Sequence, residues 1–91
     1  MPTTKDKITS LLLEEFTPFT LKVLDNSAAH NEHLESDFDL THLALYIVSP
    51  SFENMPIVAR QRLVNKVLQP FFDLGLHAVQ MQTKAPSEIN G

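Results

Sequence analysis

The most restrictive feature of the sequence is that a chain of only 91 residues contains no cysteine. A domain of this size buries only about 60–65% of the surface that its unfolded chain exposes, so its margin of stability is small. Without cysteine, neither a disulfide nor a metal–thiolate site can stabilise the fold. One compact core must do so, and 43% of the residues are hydrophobic. We therefore expect a single domain over residues 1–91, with a C-terminal tail at 84–91.

The charge and the glycine content argue against several classes of nucleic-acid and nucleotide binder. Seven Lys and Arg against eleven Asp and Glu give a net charge of −4 at pH 7, which is the wrong sign for a protein that depends on neutralising phosphates. The two glycines, Gly75 and Gly91, cannot form a GxGxxG motif, a P-loop or the GxxG loop of KH domains.

No pattern in the chain indicates catalysis or a membrane anchor. There is no cysteine nucleophile, and none of the serines lies in a motif typical of an activated nucleophile. The apolar runs are far shorter than the roughly 20 residues that span a bilayer. The first residues, MPTTKDK, do not resemble a signal or transit peptide. We expect a non-enzymatic protein in the cytoplasm.

The spacing of apolar residues predicts two helices. A Thr-x-x-Asp capping pattern begins at Thr3 and precedes a helix over about 4–15. A second helix is predicted over about 56–69, because Pro70 should break or kink it, with an extra turn that ends at Gly75. The apolar positions expected to be buried are Ile8, Leu11, Leu12 and Phe16 in the first helix, and Ile57, Leu63, Val64, Val67, Leu68 and Phe71 in the second.

Alternation with a period of two predicts three strands, at about 19–24, 41–49 and 77–82. The residues that share one face of each strand are Phe19, Leu21 and Val23, then Leu43, Leu45 and Ile47, then His77, Val79 and Met81. The order helix, strand, strand, helix, strand predicts an α+β domain with helices on one face of a three-stranded mixed sheet. The first two strands should be antiparallel, and the second and third, joined by a crossover helix, should be parallel.

This topology brings all four histidines of the chain to one edge of the sheet. His30 and His33 lie in a polar loop at about 26–38, His42 begins the second strand and His77 begins the third. Imidazole is the commonest metal ligand, so the edge is a candidate metal or cluster site. The spacing of His30 and His33 is a weak motif outside a helix, and His42 suits a half-buried strand residue.

Three of the seven basic residues lie in the second predicted helix: Arg60, Arg62 and Lys66. Arg62 and Lys66 are one turn apart and share a face, whereas Arg60 should point elsewhere. The pattern fits an ordinary solvated helix face, or a docking surface for an acidic partner or a phosphate.

Several segments together carry a family resemblance. They are Asp25–Asn31 (DNSAAHN), Thr41–Ser49 (THLALYIVS), Phe52, Arg60–Val64 (RQRLV), Gly75–Ala78 (GLHA) and Ala85–Glu88 (APSE). In their order and spacing they resemble the BolA family over nearly the whole chain. The resemblance implies an αββαβ fold related to the KH fold. The chain departs from the family's usual pattern at Gln61, where a histidine is common, and at Asn54, where a glycine is common.

The resemblance also implies a function. BolA proteins pair with monothiol glutaredoxins and share a 2Fe-2S cluster with them, or act in cluster trafficking and iron regulation. His77 matches the cluster ligand that members share, and His30 matches a loop position that is histidine in one subgroup, so the chain resembles the histidine type. His33 is close enough to His30 to replace it. Glutaredoxin and glutathione would supply the thiolates.

We therefore expect a partner of a monothiol glutaredoxin in a heterodimer, with His77 and His30 or His33 as metal ligands. Arg60, Arg62 and Lys66 are expected to contact the partner, and the chain alone is expected to be a monomer or homodimer. The alternative is a DNA-binding transcriptional regulator of stress response and cell morphology, with weak DNA binding at the second helix. A metal-dependent hydrolase built on the histidines lacks a general base.

Overall fold

The computed structural model describes residues 3–26 and 40–89. Its elements are α1 (Thr4–Phe16), β1 (Thr20–Asp25), β2 (His42–Val48), a 3-10 helical turn (Pro50–Phe52), α2 (Ile57–Leu74), β3 (Ala78–Lys84) and α3 (Pro86–Ile89). The predicted order of helix, strand, strand, helix and strand is confirmed, and so is the α+β class.

Helix α1 begins and ends close to where the sequence predicts. The Thr3 side chain accepts a hydrogen bond from the Asp6 N–H, and the Asp6 carboxylate accepts one from the Thr3 N–H, both at 3.1 Å. This reciprocal capping box satisfies two of the free N–H groups at the helix start. These hydrogen bonds lower the pKa of the Asp6 carboxyl below its ordinary value. The helix ends at Phe16 because Thr17 adopts a left-handed conformation, with φ of 38°.

The three strands form one mixed sheet in the order β1-β2-β3. Strand β1 is antiparallel to β2, with Val23 opposite Leu45. Strand β2 is parallel to β3, with His42 opposite Ala78 at one end and Val48 opposite Lys84 at the other. Both predicted strand directions are confirmed.

The hydrophobic core lies between the two long helices and one face of the sheet. Its buried members are Ile8, Leu12 and Phe16 from α1, Leu43, Leu45 and Ile47 from β2, Val64 and Leu68 from α2, and Leu40, Phe52, Leu76 and Ala85 from the connecting segments. The predicted inward faces of β1 and β3 pack partly buried against this cluster, through Leu21, Val23, Val79 and Met81. Helices on one face of the sheet are therefore confirmed.

The prediction that Phe19 lies on the buried face of the first strand is wrong. Its side chain is 70% exposed, and β1 begins only at Thr20. That end of the core is filled by Phe16 and Phe52, whose ring centroids lie 5.2 Å apart.

The prediction that the second helix stops at about residue 69, because Pro70 breaks it, is also wrong, since α2 continues through Pro70 to Leu74. Leu68 before the proline is fully buried, and Phe71 after it packs against the core. Core packing by the residues before and after Pro70 therefore keeps the helix continuous through a residue that disfavours helical structure. As predicted, α2 ends at Gly75.

The buried stripe of α2 also differs from the predicted one. Ile57 and Leu63 are exposed, whereas Arg60 is only 4% exposed. Arg60 takes the stripe position one turn before Val64, where an apolar residue would be expected. A charged side chain can occupy this position because Nε and Nη1 of its guanidinium donate hydrogen bonds within the chain.

The Arg60 guanidinium connects the start of α2 to the C-terminal residues. Its Nε donates to the Met55 carbonyl at 2.8 Å, and its Nη1 donates to the Thr83 carbonyl at 3.0 Å and to Glu88 Oε1 at 2.6 Å. The same carboxylate oxygen accepts from the Ala85 N–H at 2.6 Å. The hydrogen bond from Arg60, followed by that from Ala85, lowers the pKa of the Glu88 carboxyl below its ordinary value.

These contacts give the expected tail at 84–91 a local structure. Strand β3 extends to Lys84, and Pro86–Ile89 form the short helix α3. The Ser87 side chain adds a hydrogen bond to Glu53 at 2.7 Å. No apolar periodicity marks so short a helix, which explains why sequence alone did not predict it.

We expect Pro70→Ala to stabilise the protein. Proline inside a helix lacks the N–H for the Lys66 carbonyl and costs roughly 3 kcal/mol, offset by about 1 kcal/mol from its restriction of the unfolded chain. The net gain should be about 1–2 kcal/mol in the free energy of unfolding, measured by urea denaturation followed by circular dichroism. Gln69→Ala is the matched control and should change little. A loss of stability in Pro70→Ala would contradict the account.

Arg60→Met should destabilise the protein strongly. The substitution preserves much of the side-chain volume but leaves the Thr83 and Met55 carbonyls without their donor, which should cost about 2–4 kcal/mol in the free energy of unfolding. Arg62→Met, on the exposed side of the same helix, is the control and should change stability by no more than about 0.5 kcal/mol. Equal urea midpoints for the two variants would refute a structural role for Arg60.

Candidate functional site

The edge where β2 and β3 begin carries two histidines. His42 is the first residue of β2, and His77 directly precedes β3. The Thr41 carbonyl accepts hydrogen bonds from the N–H groups of both His77, at 2.8 Å, and Ala78, at 3.1 Å. Because parallel strands start at the same edge of a sheet, this bonding fixes the two histidines side by side.

The turn that leads into His77 depends on Gly75. Its φ of 136° lies in a region that side-chain-bearing residues avoid. The Gly75 N–H bonds to the carbonyls of Phe71 and Phe72, and the Leu76 N–H bonds to that of Phe71. Leu76 is buried in the core, so the chain is anchored immediately before His77.

The two imidazole rings lie close together at this edge. Their centroids are 6.0 Å apart and their planes are inclined by 44°. His77 is exposed, and His42 is half-buried, as expected for His42. The Thr41 hydroxyl oxygen lies 3.0 Å from Nδ1 of His42, within hydrogen-bond distance.

The predicted meeting of histidines at one edge is thus observed for His42 and His77. His30 and His33 lie outside the described residues, so their place at this edge stays a prediction. Over residues 3–26 and 40–89, no group of three or more His, Cys, Asp or Glu could hold a metal ion. The pair therefore offers two ligands, and any further ligands must come from elsewhere.

The three cations that were predicted to contact a partner differ in their exposure to solvent. Arg62 and Lys66 are exposed on α2, as their spacing predicts, and they border a groove of about 470 Å³. Arg60 points elsewhere, as expected. Its burial and its contacts within the chain do not support a direct contact with a partner.

The groove has an apolar floor that the sequence analysis missed. Its other lining residues are Met55, Pro56, Val58, Ala59 and Leu63. Val58 is 56% exposed and Leu63 39% exposed. The sequence does contain a signal for this floor, because the second helix has more apolar residues than one buried stripe of a helix can hold.

The groove and the histidine edge lie towards opposite ends of α2. The groove extends along the first half of the helix, and His77 follows its C-terminal end. From Lys66 to Leu74 the helix rises about 12 Å.

The face of the sheet opposite the helices forms a second shallow concavity, of about 570 Å³. It is lined mainly by Lys22, Leu24, Tyr46, Gln80 and Gln82. The Lys22 ammonium lies 5.7 Å from the centre of the Tyr46 ring. These are the outward positions of the strand alternation, so sequence alone indicates an uncovered face but not its shape.

None of the helices within the described part of the chain has the length and apolar character needed to cross a membrane.

The chain is similar to one described protein family and to several known proteins. The family described as BolA-like protein matches residues 12–88. A Sinorhizobium sp. protein named "Uncharacterized protein in cobS 5'region" is 40% identical over 86 residues, which cover 91% of each chain. The "DNA-binding transcriptional regulator BolA" of Vibrio cholerae is 34% identical over 84 residues, covering 92% of this chain and 76% of that protein. The solved structure of BolA1 from Arabidopsis thaliana is similar with a TM-score of 0.89 and 35% identity, covering 97% of both chains. The chain belongs to the BolA-like protein family.

Proposed function

We propose that this chain is a non-enzymatic partner of a monothiol glutaredoxin, with which it binds a shared 2Fe-2S cluster for cluster trafficking or iron regulation. The observation that carries the proposal is the exposed imidazole of His77, held at a sheet edge in a BolA-like chain without cysteine. Within the pair, the cluster is cargo that passes between proteins.

The chemistry of the available ligands supports this assignment. Each iron of a 2Fe-2S cluster takes two protein ligands besides the bridging sulfides, and two histidines can replace two cysteines on one iron. This chain can supply imidazoles but no thiolate, because it contains no cysteine. The thiolates for the other iron must therefore come from partners, which we propose are glutaredoxin and glutathione.

The proposed step is an exchange of ligands between two assemblies. Two imidazoles of this chain bind one iron as two thiolates leave it, and no electron is transferred. A glutaredoxin homodimer is thereby replaced by a heterodimer of glutaredoxin and this chain. From the sequence, the ligands are His77 together with His30 or His33, which makes the chain a histidine-type BolA protein.

The groove beside Arg62 and Lys66 suits the protein contact that such an exchange requires. Exposed Val58 and Leu63 offer apolar surface, and the two cations lie at its margin. In a chain of net charge −4, this local positive charge favours an acidic partner surface and its orientation on approach.

The exchange can be followed by visible circular dichroism. Cluster-loaded monothiol glutaredoxin is titrated anaerobically with this protein in the presence of glutathione. We expect a new spectrum that saturates at an equimolar ratio, because the ligands of one iron change. An unchanged spectrum at every ratio would contradict the proposed function. His77→Ala should reduce the cluster yield more than His33→Ala, and a yield in His77→Ala equal to that of the unchanged protein would remove His77 from the ligand set.

DNA binding is the second candidate, because the Vibrio cholerae relative bears the name of a DNA-binding transcriptional regulator. Under this alternative, the chain would regulate stress response and cell morphology. Arg62 and Lys66 are the exposed cations of α2 that could neutralise phosphates. The net charge of −4 limits the affinity.

If this surface binds DNA, we expect weak binding that falls steeply with salt. Removing both cations, in a double variant Arg62→Gln and Lys66→Gln, should reduce the slope of log affinity against log salt by about 2, since each phosphate contact contributes roughly 0.9. Lys22→Gln, on the opposite face of the sheet, is the matched control. A mobility-shift titration checks the slope, and absence of any shift at low salt would rule out the candidate.

A further inference from the structure

We propose that the outer edge of β3 pairs with the same edge of a second copy of this chain, so that two three-stranded sheets join into one sheet of six strands. The two β3 strands are antiparallel and related by a twofold axis at Gln80. This contact is independent of the proposed function, because it involves only copies of this chain. Of the two states expected from the sequence for the chain alone, it selects the homodimer.

Strand β3 lies at the end of the sheet, and half of its main-chain groups point away from β2. The Lys84 carbonyl accepts a hydrogen bond from the N–H of Ser49, the residue after β2, at 3.0 Å. Main-chain groups alternate in direction along a strand, so the N–H and carbonyl groups of Val79 and Met81 point outward. With the strand order β1-β2-β3, no strand in the described part of the chain pairs with them.

Arg60 closes one end of this outer edge. Its Nη1 donates to the Thr83 carbonyl at 3.0 Å, and that carbonyl is the next outward one after Met81. The guanidinium therefore occupies the place where a neighbouring strand would bond to Thr83. The open part of the edge extends from Ala78 to Gln82.

The middle of the open part is Gln80, which determines the register of the pairing. Antiparallel pairing about this residue places Val79 opposite Met81 of the second copy, and Met81 opposite Val79 of the second copy. Each of these two pairs forms two hydrogen bonds between outward main-chain groups. The contact therefore contains four main-chain hydrogen bonds.

Strand β3 lacks the features by which proteins usually protect an open edge. Protected edge strands are short, or carry a lysine, a proline or a β-bulge. Strand β1, at the other end of the sheet, has Lys22 near its middle and follows Pro18 closely. Strand β3 has seven residues, pairs with β2 without a bulge, contains no proline and carries its one charge at its last residue, Lys84. The unprotected edge of this sheet is therefore that of β3.

The side chains of β3 suit pairing with a second copy of the same strand. At the twofold axis Gln80 is opposite its own copy, in a pair without main-chain hydrogen bonds, where opposite side chains lie close together. A glutamine amide both donates and accepts, so two of them can bond to each other. The two Lys84 side chains lie at opposite ends of the paired segment, so no like charges are opposed.

Helix α2 provides further surface beside this edge. A cavity of about 270 Å³ lies between Ile57 and Gln61 of α2 and the second half of β3. Ile57 is 48% exposed, so an added strand covers apolar surface as well as forming hydrogen bonds. Contacts of this size bury less than about 1,200 Å² in total, which is typical of weak complexes. We therefore expect a dimer that dissociates on dilution.

The first test is sedimentation equilibrium of the protein alone over a wide range of concentrations. We expect the average mass to rise from that of one chain towards that of two. In NMR spectra of isotope-labelled protein, the amide signals of Val79 and Met81 should change with concentration, whereas that of Val23 in β1 should stay constant. The mass of one chain at every concentration would overturn the proposal, as would changes confined to β1 or to the groove on α2.

Charged variants test the register. Gln80→Lys places two ammonium groups opposite each other and removes the amide pair, so it should weaken self-association about fivefold. Gln82→Lys, the matched control, adds the same charge to the same face but opposite Ala78 of the second copy, and should leave association unchanged. Both glutamines are exposed, and far-UV circular dichroism verifies that the variants are folded. An equal loss of association in the two variants would refute pairing about Gln80.

A mixture of two variants separates this contact from a general effect of charge. Gln80→Glu alone should associate as weakly as Gln80→Lys, because two carboxylates are then opposed. In an equimolar mixture of Gln80→Lys and Gln80→Glu, opposite charges meet across the axis, and association should recover at least to that of the unchanged protein. This recovery requires that residue 80 of one copy meets residue 80 of the other. A mixture that associates no better than either variant alone would refute the proposed interface.

Discussion

The parallel pairing of β2 with β3 is the constraint on which the candidate site depends. The Thr41 carbonyl accepts hydrogen bonds from two successive N–H groups, those of His77 and Ala78, and this sets where β3 starts against β2. A one-residue slip would turn the side chains of β3 to the opposite faces of the sheet. Val79 and Met81 would then leave the core. The burial of apolar side chains along β3 therefore also maintains the position of an exposed imidazole at its start.

Much of the fold could be predicted from the sequence because its main elements are determined locally. The capping residues of α1, the alternation in β2 and the glycine after α2 each act over a few residues. The crossover helix then determines that β2 and β3 are parallel. The sequence-based predictions fail where packing between segments that are far apart in the sequence outweighs the structural preference of individual residues. Pro70 stays inside α2 because Leu68 and Phe71 pack on both sides of it, and α3 forms because Glu88 meets an arginine 28 residues away.

The candidate site was only partly predictable for a related reason. Strand directions were sufficient to bring His42 and His77 to one edge, but the 6.0 Å between their rings depends on side-chain placement that no pattern encodes. The apolar floor of the groove on α2 is not evident from the sequence, because the spacing of Leu63 predicts a core position whereas its side chain is exposed. The burial of Arg60 is not predictable from the sequence, because burial of a charge depends on carbonyl groups contributed by other segments, here those of Met55 and Thr83.

The junction between Arg60 and Glu88 has a consequence for how segments of this fold can be exchanged. The arginine belongs to the crossover helix and the glutamate to the last turn described, so the two ends of one ion pair lie on opposite sides of β3 in the sequence. A chimaera that takes its final strand and turn from another protein inherits this pairing only if both residues come from the same parent. The natural unit for recombination therefore runs from the turn before α2 to α3, which keeps the guanidinium with its carbonyls and its carboxylate.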